Sequence, residues 1–413
     1  MKPTRRQFFI ESALAASALA SLSGIPPAVF RRAALAAAGR RGDGETVLVA
    51  IQLTGGNDGL NTVVPFEHDA YARARRTLRL AAKDVHRIEP GLGFHPEMRA
   101  LREAYGEGLV AVVQGVGYPS SSRDHDAALR DWHTAAPGDR ACETGWLGRA
   151  VDEMRGLSDV LGAFVGGIPR PRALDARAAI VPALRDASDW TLPAGEAAPG
   201  RPARSSGPTP GGDDLLDFIR DSTEAARASA AKVAETLRAG DEGSRYPDLR
   251  LAADLRSIAR LIRAEIGIRI FVAELGGGGI GGFDSHANQA ENHGALLRQL
   301  SESLAAFLAD LRRDRLLDRV LVFTYSEFGR TVRENGRRGT DHGAAAPVLA
   351  AGGKVRGGVL GPHPEVEEIE GGGLRPQVDF RRLYATVLGA WLGLDPRGIL
   401  GQAWEPLDLV RSR

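Results

Sequence analysis

Short apolar runs alternate along the chain with longer segments in which apolar residues recur at helical spacing. Val47–Leu53 and Val320–Tyr325 are almost continuously apolar, which is typical of parallel strands buried on both faces. This alternation predicts an α/β fold built on a mainly parallel sheet. Further strands are predicted at Leu109–Gly115, Val160–Val165, Ala178–Pro182 and Ile268–Leu275, and helices at Arg99–Tyr105, Leu215–Leu237, Leu249–Glu265, His293–Arg313 and Asp379–Gly393.

Two segments depart from this pattern. Residues 191–213 are dense in Pro, Gly, Ser and Ala, which predicts a flexible insertion within a single domain of residues 45–413. The N-terminus carries Arg5-Arg6 before a short apolar run and A-x-A sites within residues 34–38, so residues 1–38 are predicted to be a twin-arginine signal peptide. We expect export by the Tat machinery to the periplasm or beyond. A disordered or anchoring N-terminus is the alternative, and the run is too short to give a stable membrane span.

Composition and charge limit the kinds of molecule that the protein is expected to bind. The 413 residues are 43% hydrophobic and 25% charged, as in ordinary soluble proteins. The formal net charge is +1, so no nucleic-acid partner is expected. Cys142 is the only cysteine, which excludes an intrachain disulfide and a cysteine-based zinc site. We expect Cys142 to be a small buried residue.

Acidic and imidazole side chains follow three of the predicted strands, at the points where they end. In an open α/β sheet, ligands bind beyond the carboxyl ends of the strands. Carboxylates and imidazoles suit Zn, Mn, Mg or Ca, and histidine favours Zn or Mn. Asp58 follows Gly-Gly-Asn and can instead stabilise a turn. The candidate ligands of one or two divalent cations are Asp58, Asp284, His286, Glu327, Asp341 and His342.

A serine-rich segment, Ser120–His125 (SSSRDH), begins another predicted helix. Anions bind well at helix N-termini, and an arginine can hold a phosphate or sulfate with two hydrogen bonds. Ser122, Arg123 and His125 are therefore the predicted catalytic residues, with Ser122 as nucleophile and Arg123 on the anion. The alternative is a serine N-cap followed by a solvated arginine. A Ser-His-Asp triad is not supported by any Gly-x-Ser-x-Gly elbow.

Several of these segments resemble DUF1501, a family of exported bacterial proteins of unknown function. They lie in the family's order between residues 48 and 393. The matching segments are LVAIQLTGGNDGLNTVVPF (48–66), LVAVVQGVGYP (109–119), HDAALRDWHTA (125–135), GWLGRAVD (145–152), FDSHANQ (283–289), VLVFTYSEFGRTVRENGRRGTDHGAAAP (320–347) and DFRRLYATVLGAWLG (379–393).

The family in turn is similar to the alkaline phosphatase and sulfatase superfamily. This resemblance implies a doubly wound, mostly parallel sheet with helices on both faces and metals at its C-terminal edge. It places Asp58, Asp284, His286, Glu327 and His342 at metal-binding positions. The chain departs from the pattern at Phe328, where a metal-binding histidine is expected, and at Asp124, where many family members have a second serine.

Three functional hypotheses follow. The first is an exported, metal-dependent hydrolase of phosphate or sulfate esters, acting on a small-molecule or glycan-linked anionic ester, with Ser122 or a metal-activated water as nucleophile. The second is a non-catalytic periplasmic or surface binding protein that retains the hydrolase fold, which Phe328 and Asp124 favour. The third is a metal-independent serine hydrolase that uses Ser122.

Overall fold

The computed structural model describes residues 46–154, 161–179, 181–184, 245–265, 267–277, 282–363, 365–367 and 369–411. The predicted signal peptide, the predicted insertion at residues 191–213 and the predicted helix Leu215–Leu237 lie outside the described residues.

A nine-stranded sheet forms the centre of the described structure. Its strands are β1 (Val47–Leu53), β5 (Val110–Gly117), β6 (Gly162–Val165), β7 (Ala183–Leu184), β8 (Ile270–Leu275), β9 (Val320–Tyr325), β10 (Ala346–Ala351), β11 (Gly358–Leu360) and β14 (Val378–Asp379). They lie side by side in the order β11-β5-β10-β9-β1-β8-β6-β7, and β14 pairs with β5. β10 runs antiparallel to both neighbours, and the other pairings are parallel.

Apolar side chains of the sheet alternate between two cores, one on each face. From β1, Val49 and Ile51 enter one core with Leu297 of a long helix, whereas Leu48 and Ala50 enter the other with Trp146. The helices that pack on the first face are Arg99–Gly106, Arg250–Arg263 and Gln289–Arg313. Those on the second face are His125–Thr134, Trp146–Glu153, Phe380–Ala385 and Pro396–Leu400, with a π-helical turn at Thr386–Leu392. The predicted α/β fold, a mostly parallel sheet with helices on both faces, is confirmed.

Smaller elements surround this frame. Short helices occupy Gly59–Thr62 and Asp69–Ala74, and 3-10 turns occupy Pro96–Met98, Arg172–Leu174 and Leu317–Arg319. The minor sheets are formed by β2 (Val63–Val64), β3 (His86–Glu89) and β4 (Leu92–Phe94), and by β12 (Ile369–Glu370) with β13 (Gly373–Leu374).

Three local predictions need correction. The serines before the His125–Thr134 helix do not cap it; the Asp124 carboxylate does, because it accepts a hydrogen bond from the Ala127 N–H at 2.9 Å. Cys142 is half-buried rather than fully buried, with its Sγ 3.5 Å from the Thr144 carbonyl oxygen. The predicted strand at Ala178–Pro182 is displaced to Ala183–Leu184 among the described residues.

Candidate metal centre

Five chain segments meet at one edge of the sheet. The parallel strands β1, β5, β8 and β9 all end there, and the loops or helix that follow them carry Asp58, His125, Asp284 and Glu327. Because β10 runs antiparallel, its beginning lies at the same edge, and Asp341 and His342 precede it. Convergence at this edge is therefore set by strand direction, as expected for an open α/β sheet.

Backbone pairing fixes the loop between β9 and β10. The Gly343 N–H donates to the Gly329 carbonyl at 2.8 Å, and the Thr331 N–H donates to the Asp341 carbonyl at 2.9 Å. Gly329 and Gly343 permit this approach because they have no Cβ. A Cβ on Gly329 would lie 2.1 Å from the carbonyl oxygen of Ala345, and a Cβ on Gly343 would lie 2.3 Å from the carbonyl oxygen of Arg330. The motif glycines thus allow His342 to fold back toward the strand end.

Three histidines surround one aspartate at the centre of this edge. Asp284 Oδ1 lies 3.0 Å from His286 Nε2 and 3.1 Å from His342 Nε2, and Asp284 Oδ2 lies 3.5 Å from His125 Nε2. The two Nε2 atoms of His286 and His342 are themselves 3.0 Å apart. We call His125, Asp284, His286 and His342 the metal centre, because metal-ligating atoms of His125, Asp284 and His342 lie within 4.8 Å of one another.

The opposite ring nitrogen of each histidine contacts an oxygen. Nδ1 of His125 lies 3.0 Å from Glu327 Oε1, and Nδ1 of His286 lies 3.0 Å from Asp341 Oδ1. Nδ1 of His342 lies 2.6 Å from the carbonyl oxygen of Arg123. A carboxylate or carbonyl accepts a hydrogen bond, so a neutral imidazole here carries its proton on Nδ1 and turns the Nε2 lone pair inward.

This donor set suits a divalent cation. Three inward lone pairs and a carboxylate converge here, and a positive ion stabilises such a set. Histidine and aspartate are also the ligand types of open zinc sites, and oxygen partners on Nδ1 are the usual support of metal-bound histidine. The structure thus brings the side chains of Asp284, His286 and His342 together and adds that of His125. Glu327 and Asp341 lie behind two of the imidazoles, in contact with their Nδ1 atoms.

The acid–base properties of the centre follow from these contacts. Burial alone would raise the pKa of Asp284, but the hydrogen bond from Arg330 and the contacts with His342 and His286 lower it to about 2. The hydrogen bond to Glu327 raises the pKa of His125, against the effect of burial. The hydrogen bond from His286 lowers the pKa of Asp341. Both aspartates are therefore anionic at neutral pH.

Arg330 is a structural member of this edge that the sequence did not reveal. Its guanidinium is buried and lies 2.7 Å from Asp284 Oδ1. It also donates to the carbonyls of Gly56 at 2.7 Å and Thr340 at 3.0 Å, and to that of Gly55. Arg330 therefore ties three loops together and occupies one oxygen of Asp284. An isolated arginine in a polar loop gives no sequence signal for this role.

Phe328 forms an apolar wall beside two of the histidines. Its ring stacks on His342 with centroids 4.4 Å apart and lies 5.0 Å from the His125 ring. Gly56 makes room for it, since a Cβ there would be 2.4 Å from the Phe328 ring. The position at which the resemblance implied a ligand of a second ion is thus occupied by a buried aromatic ring.

Asp58 is not brought into the metal centre. Its two carboxylate oxygens accept hydrogen bonds from Arg75 at 2.6 and 2.9 Å, and both side chains are buried. Burial alone would raise the pKa of Asp58, but the charge and hydrogen bonds of Arg75 lower it to about 2. The described contacts therefore pair Asp58 with an arginine rather than with the histidines, and its charge is already neutralised. Arg75 itself carried no recognisable sequence signal.

The three predicted catalytic residues, Ser122, Arg123 and His125, make different kinds of contact. Ser122 Oγ accepts a hydrogen bond from the Asp124 N–H at 3.1 Å. The Arg123 guanidinium donates to the carbonyls of Ser121 and Glu370, each at 3.0 Å, while the Arg123 carbonyl contacts His342. Only His125 contributes its side chain to the metal centre. Contacts of the Ser122 and Arg123 side chains with the metal centre are absent from the described hydrogen bonds.

Residues 213–404 match the model of DUF1501, described as a protein of unknown function. Over these residues, the match confirms the predicted resemblance to DUF1501. No protein with a curated description matches the chain.

Several solved structures are similar to this chain in backbone. The C-terminal periplasmic domain of EcEptC from Escherichia coli, in a complex with Zn, is 9% identical with a TM-score of 0.36, covering 75% of this chain and 73% of that one. A protein in the alkaline phosphatase superfamily from Vibrio parahaemolyticus is 11% identical with a TM-score of 0.34, covering 78% and 64%. Alkaline phosphatase from the Antarctic bacterium TAB5 is 11% identical with a TM-score of 0.32, covering 75% and 92%. TM-scores this low carry no argument about this chain.

Proposed function

We propose that the protein is an exported, metal-dependent hydrolase of phosphate or sulfate esters. The observation that carries the proposal is the convergence of three histidine Nε2 atoms on the Asp284 carboxylate. Export rests on the twin-arginine pattern of residues 1–38. Within the described residues, no helix is both long and apolar enough to cross a membrane.

His125, Asp284, His286 and His342 would hold the ion. A divalent cation at this position would polarise an ester oxygen and lower the pKa of water. Glu327, Asp341 and the Arg123 carbonyl orient the three imidazoles, so that their Nε2 atoms face the ion. Side chains of the metal centre are 18–43% exposed, which leaves the site accessible to a substrate.

We propose one ion rather than two. Asp58, which the resemblance offered as a ligand, is held by Arg75. Phe328 supplies no donor atom where the resemblance implied a histidine. The remaining donor set is sufficient for a single ion, which needs one coordination position left open for water or the ester. Zn and Mn match the three imidazoles better than Mg or Ca.

Ser122 remains the proposed protein nucleophile, with an activated water as the alternative. The described contact of Ser122 is local, to the Asp124 N–H. Asp124, at the position where many family members have a second serine, caps a helix. The support for Ser122 as nucleophile is therefore its position near the sheet edge. The substitution Ser122→Ala distinguishes attack by serine, which it abolishes, from attack by water, which it leaves intact.

A non-catalytic binding protein is the second candidate, and the Asp124 cap favours it. A protein that binds an anionic ester without turnover needs the metal centre but no nucleophile. This candidate predicts a loaded ion, binding of aryl phosphate or sulfate, and no release of the aryl alcohol.

The test is metal analysis followed by an ester panel. Inductively coupled plasma mass spectrometry of the purified protein should find about one Zn or Mn per chain. His342→Ala should lose the ion, whereas the surface control His363→Ala should retain it. Aryl phosphates and sulfates should then be hydrolysed by the wild type and not by His342→Ala. Protein without a bound ion, and with unchanged thermal stability after chelation, would contradict the proposal.

A further inference from the structure

A cleft of about 810 Å³ adjoins the metal centre. Its wall includes Asp341 and Asn335. Asp341 Oδ1 contacts His286 Nδ1, and the Asn335 amide donates to the carbonyl oxygen of His286 at 3.0 Å and to Asp341 Oδ1 at 3.1 Å. The cleft therefore lies next to the metal centre on the Nδ1 side of His286, with Asp341 and Asn335 between them.

Part of the cleft lining is apolar. It consists of alanines of the Asp69–Ala74 helix, Val366 and Ile369. Ile369 is 51% exposed and is the large hydrophobic residue left exposed within the described chain. An exposed apolar side chain in a concave site fits a ligand with a carbon framework.

Charged side chains make up another part of the lining, and the carboxylates among them already have partners. Glu334 accepts hydrogen bonds from the Thr77 and Leu78 N–H groups at 2.8–3.0 Å. Glu367 lies 3.5 Å from Arg73, and Asp341 is committed to His286.

Two cleft arginines are exposed and lack such a partner. Arg76 and Arg333 line the cleft, and neither has a carboxylate within 4.0 Å in the described part of the chain. A guanidinium with open donors at the edge of a cleft is suited to a sulfate or phosphate group. The cleft therefore offers positive charge beside an apolar wall.

We propose that this cleft binds the organic part of the substrate, and that Arg76 and Arg333 select substrates carrying a second anionic group. The substrate class is a sugar-sized ester with two sulfate or phosphate groups, of which one reaches the metal centre. The inference rests on the proposed function for the reacting group, but binding in the cleft does not itself require a metal.

The test is isothermal titration calorimetry with glucose 1-phosphate and glucose 1,6-bisphosphate, and with monosulfated and disulfated glucose. Wild-type protein should bind the doubly charged sugar about tenfold more tightly than the singly charged one. The double variant R76Q/R333Q should lose this preference. R99Q/R298Q, which removes the same charge from exposed arginines of a separate cleft, is the matched control and should keep it. The pair with the higher affinity, phosphorylated or sulfated, identifies the ester class.

Equal affinity of the two sugars in the wild type, or a preference that survives in R76Q/R333Q, would overturn the inference. Equal losses in R76Q/R333Q and R99Q/R298Q would overturn it as well, because the preference would then reflect net charge. Repeating the titration with a chelator separates the two proposals. A preference that persists in protein without metal supports the cleft even if the hydrolase proposal fails.

Discussion

Asp58 and Asp284 follow neighbouring parallel strands of one sheet, yet their surroundings differ. Arg75 takes both oxygens of Asp58 in a buried pair. Arg330 takes only Oδ1 of Asp284, and Oδ2 lies 3.5 Å from His125 in a half-exposed cluster of imidazoles. Both carboxylates have a pKa of about 2. A depressed pKa therefore does not distinguish a structural carboxylate from a candidate ligand, whereas the number of oxygens left for an ion does.

The largest expected effect lies on the Asp58 side of this comparison. Arg75→Met leaves the buried Asp58 carboxylate without its cation, and this should reduce the free energy of unfolding by about 3–5 kcal/mol. Urea denaturation measures the loss. The double variant Asp58→Asn/Arg75→Met should recover much of it, because no buried charge remains. A loss below about 1 kcal/mol, as for an exposed ion pair, would contradict the buried-pair interpretation.

The second prediction concerns the surroundings of Asp284. Glu327→Gln weakens the hydrogen bond that orients His125 and should lower metal affinity about 10–100-fold. Competition with a chromophoric chelator measures this affinity. Asp58→Asn is the control and, measured on folded protein, should leave metal affinity unchanged because Asp58 is committed to Arg75. If Asp58→Asn lowered the metal affinity as much as Glu327→Gln, Asp58 would have to belong to the same metal site as Asp284.

Strand direction explains how much of this difference could be predicted from sequence. The apolar runs of β1, β8 and β9 located the sheet edge, and the polar residues after them located Asp284, His286 and His342. Each of these predictions depends on local pattern alone. The resemblance added the order of the segments and the expected position of the metals.

The partners of these residues could not be predicted from the sequence, because they come from other segments of the chain. Asp58 meets Arg75 across 17 residues, and Asp284 meets Arg330 across 46 residues. Nothing in the spacing shows which arginine turns inward. His125 was predicted to act with Ser122, but a helix places its ring against Glu327 instead. Local patterns predict the edge, and packing decides the partners.

Acid should weaken the contribution of Asp58. Its folded-state pKa of about 2 lies below the usual value of 3.8, so its ionised form stabilises the fold above pH 4 and this stability is lost as pH falls toward 2. The shift corresponds to about 2 kcal/mol, of which roughly half should be gone at pH 3. The stability difference between wild type and Asp58→Asn, from urea denaturation between pH 6 and pH 3, measures it. A difference that grows as pH falls would have the wrong sign.

The smallest expected effect concerns Phe328, which lies on the Asp284 side without touching the ion. Phe328→Leu retains most of the buried volume but removes the stack on His342, worth about 0.5–1.5 kcal/mol. Phe307→Leu is the matched control, because Phe307 is equally buried in the Gln289–Arg313 helix and has no ring contact among the described residues. Urea denaturation should show that both variants lose free energy of unfolding because buried volume is removed. The loss should be larger in Phe328→Leu by the energy of the ring stack. Chelator competition should show weaker metal binding in Phe328→Leu only, and by less than in Glu327→Gln, since the His342 ring keeps its bond to the Arg123 carbonyl. Equal metal affinity in the two leucine variants would mean that Phe328 fills space without orienting His342.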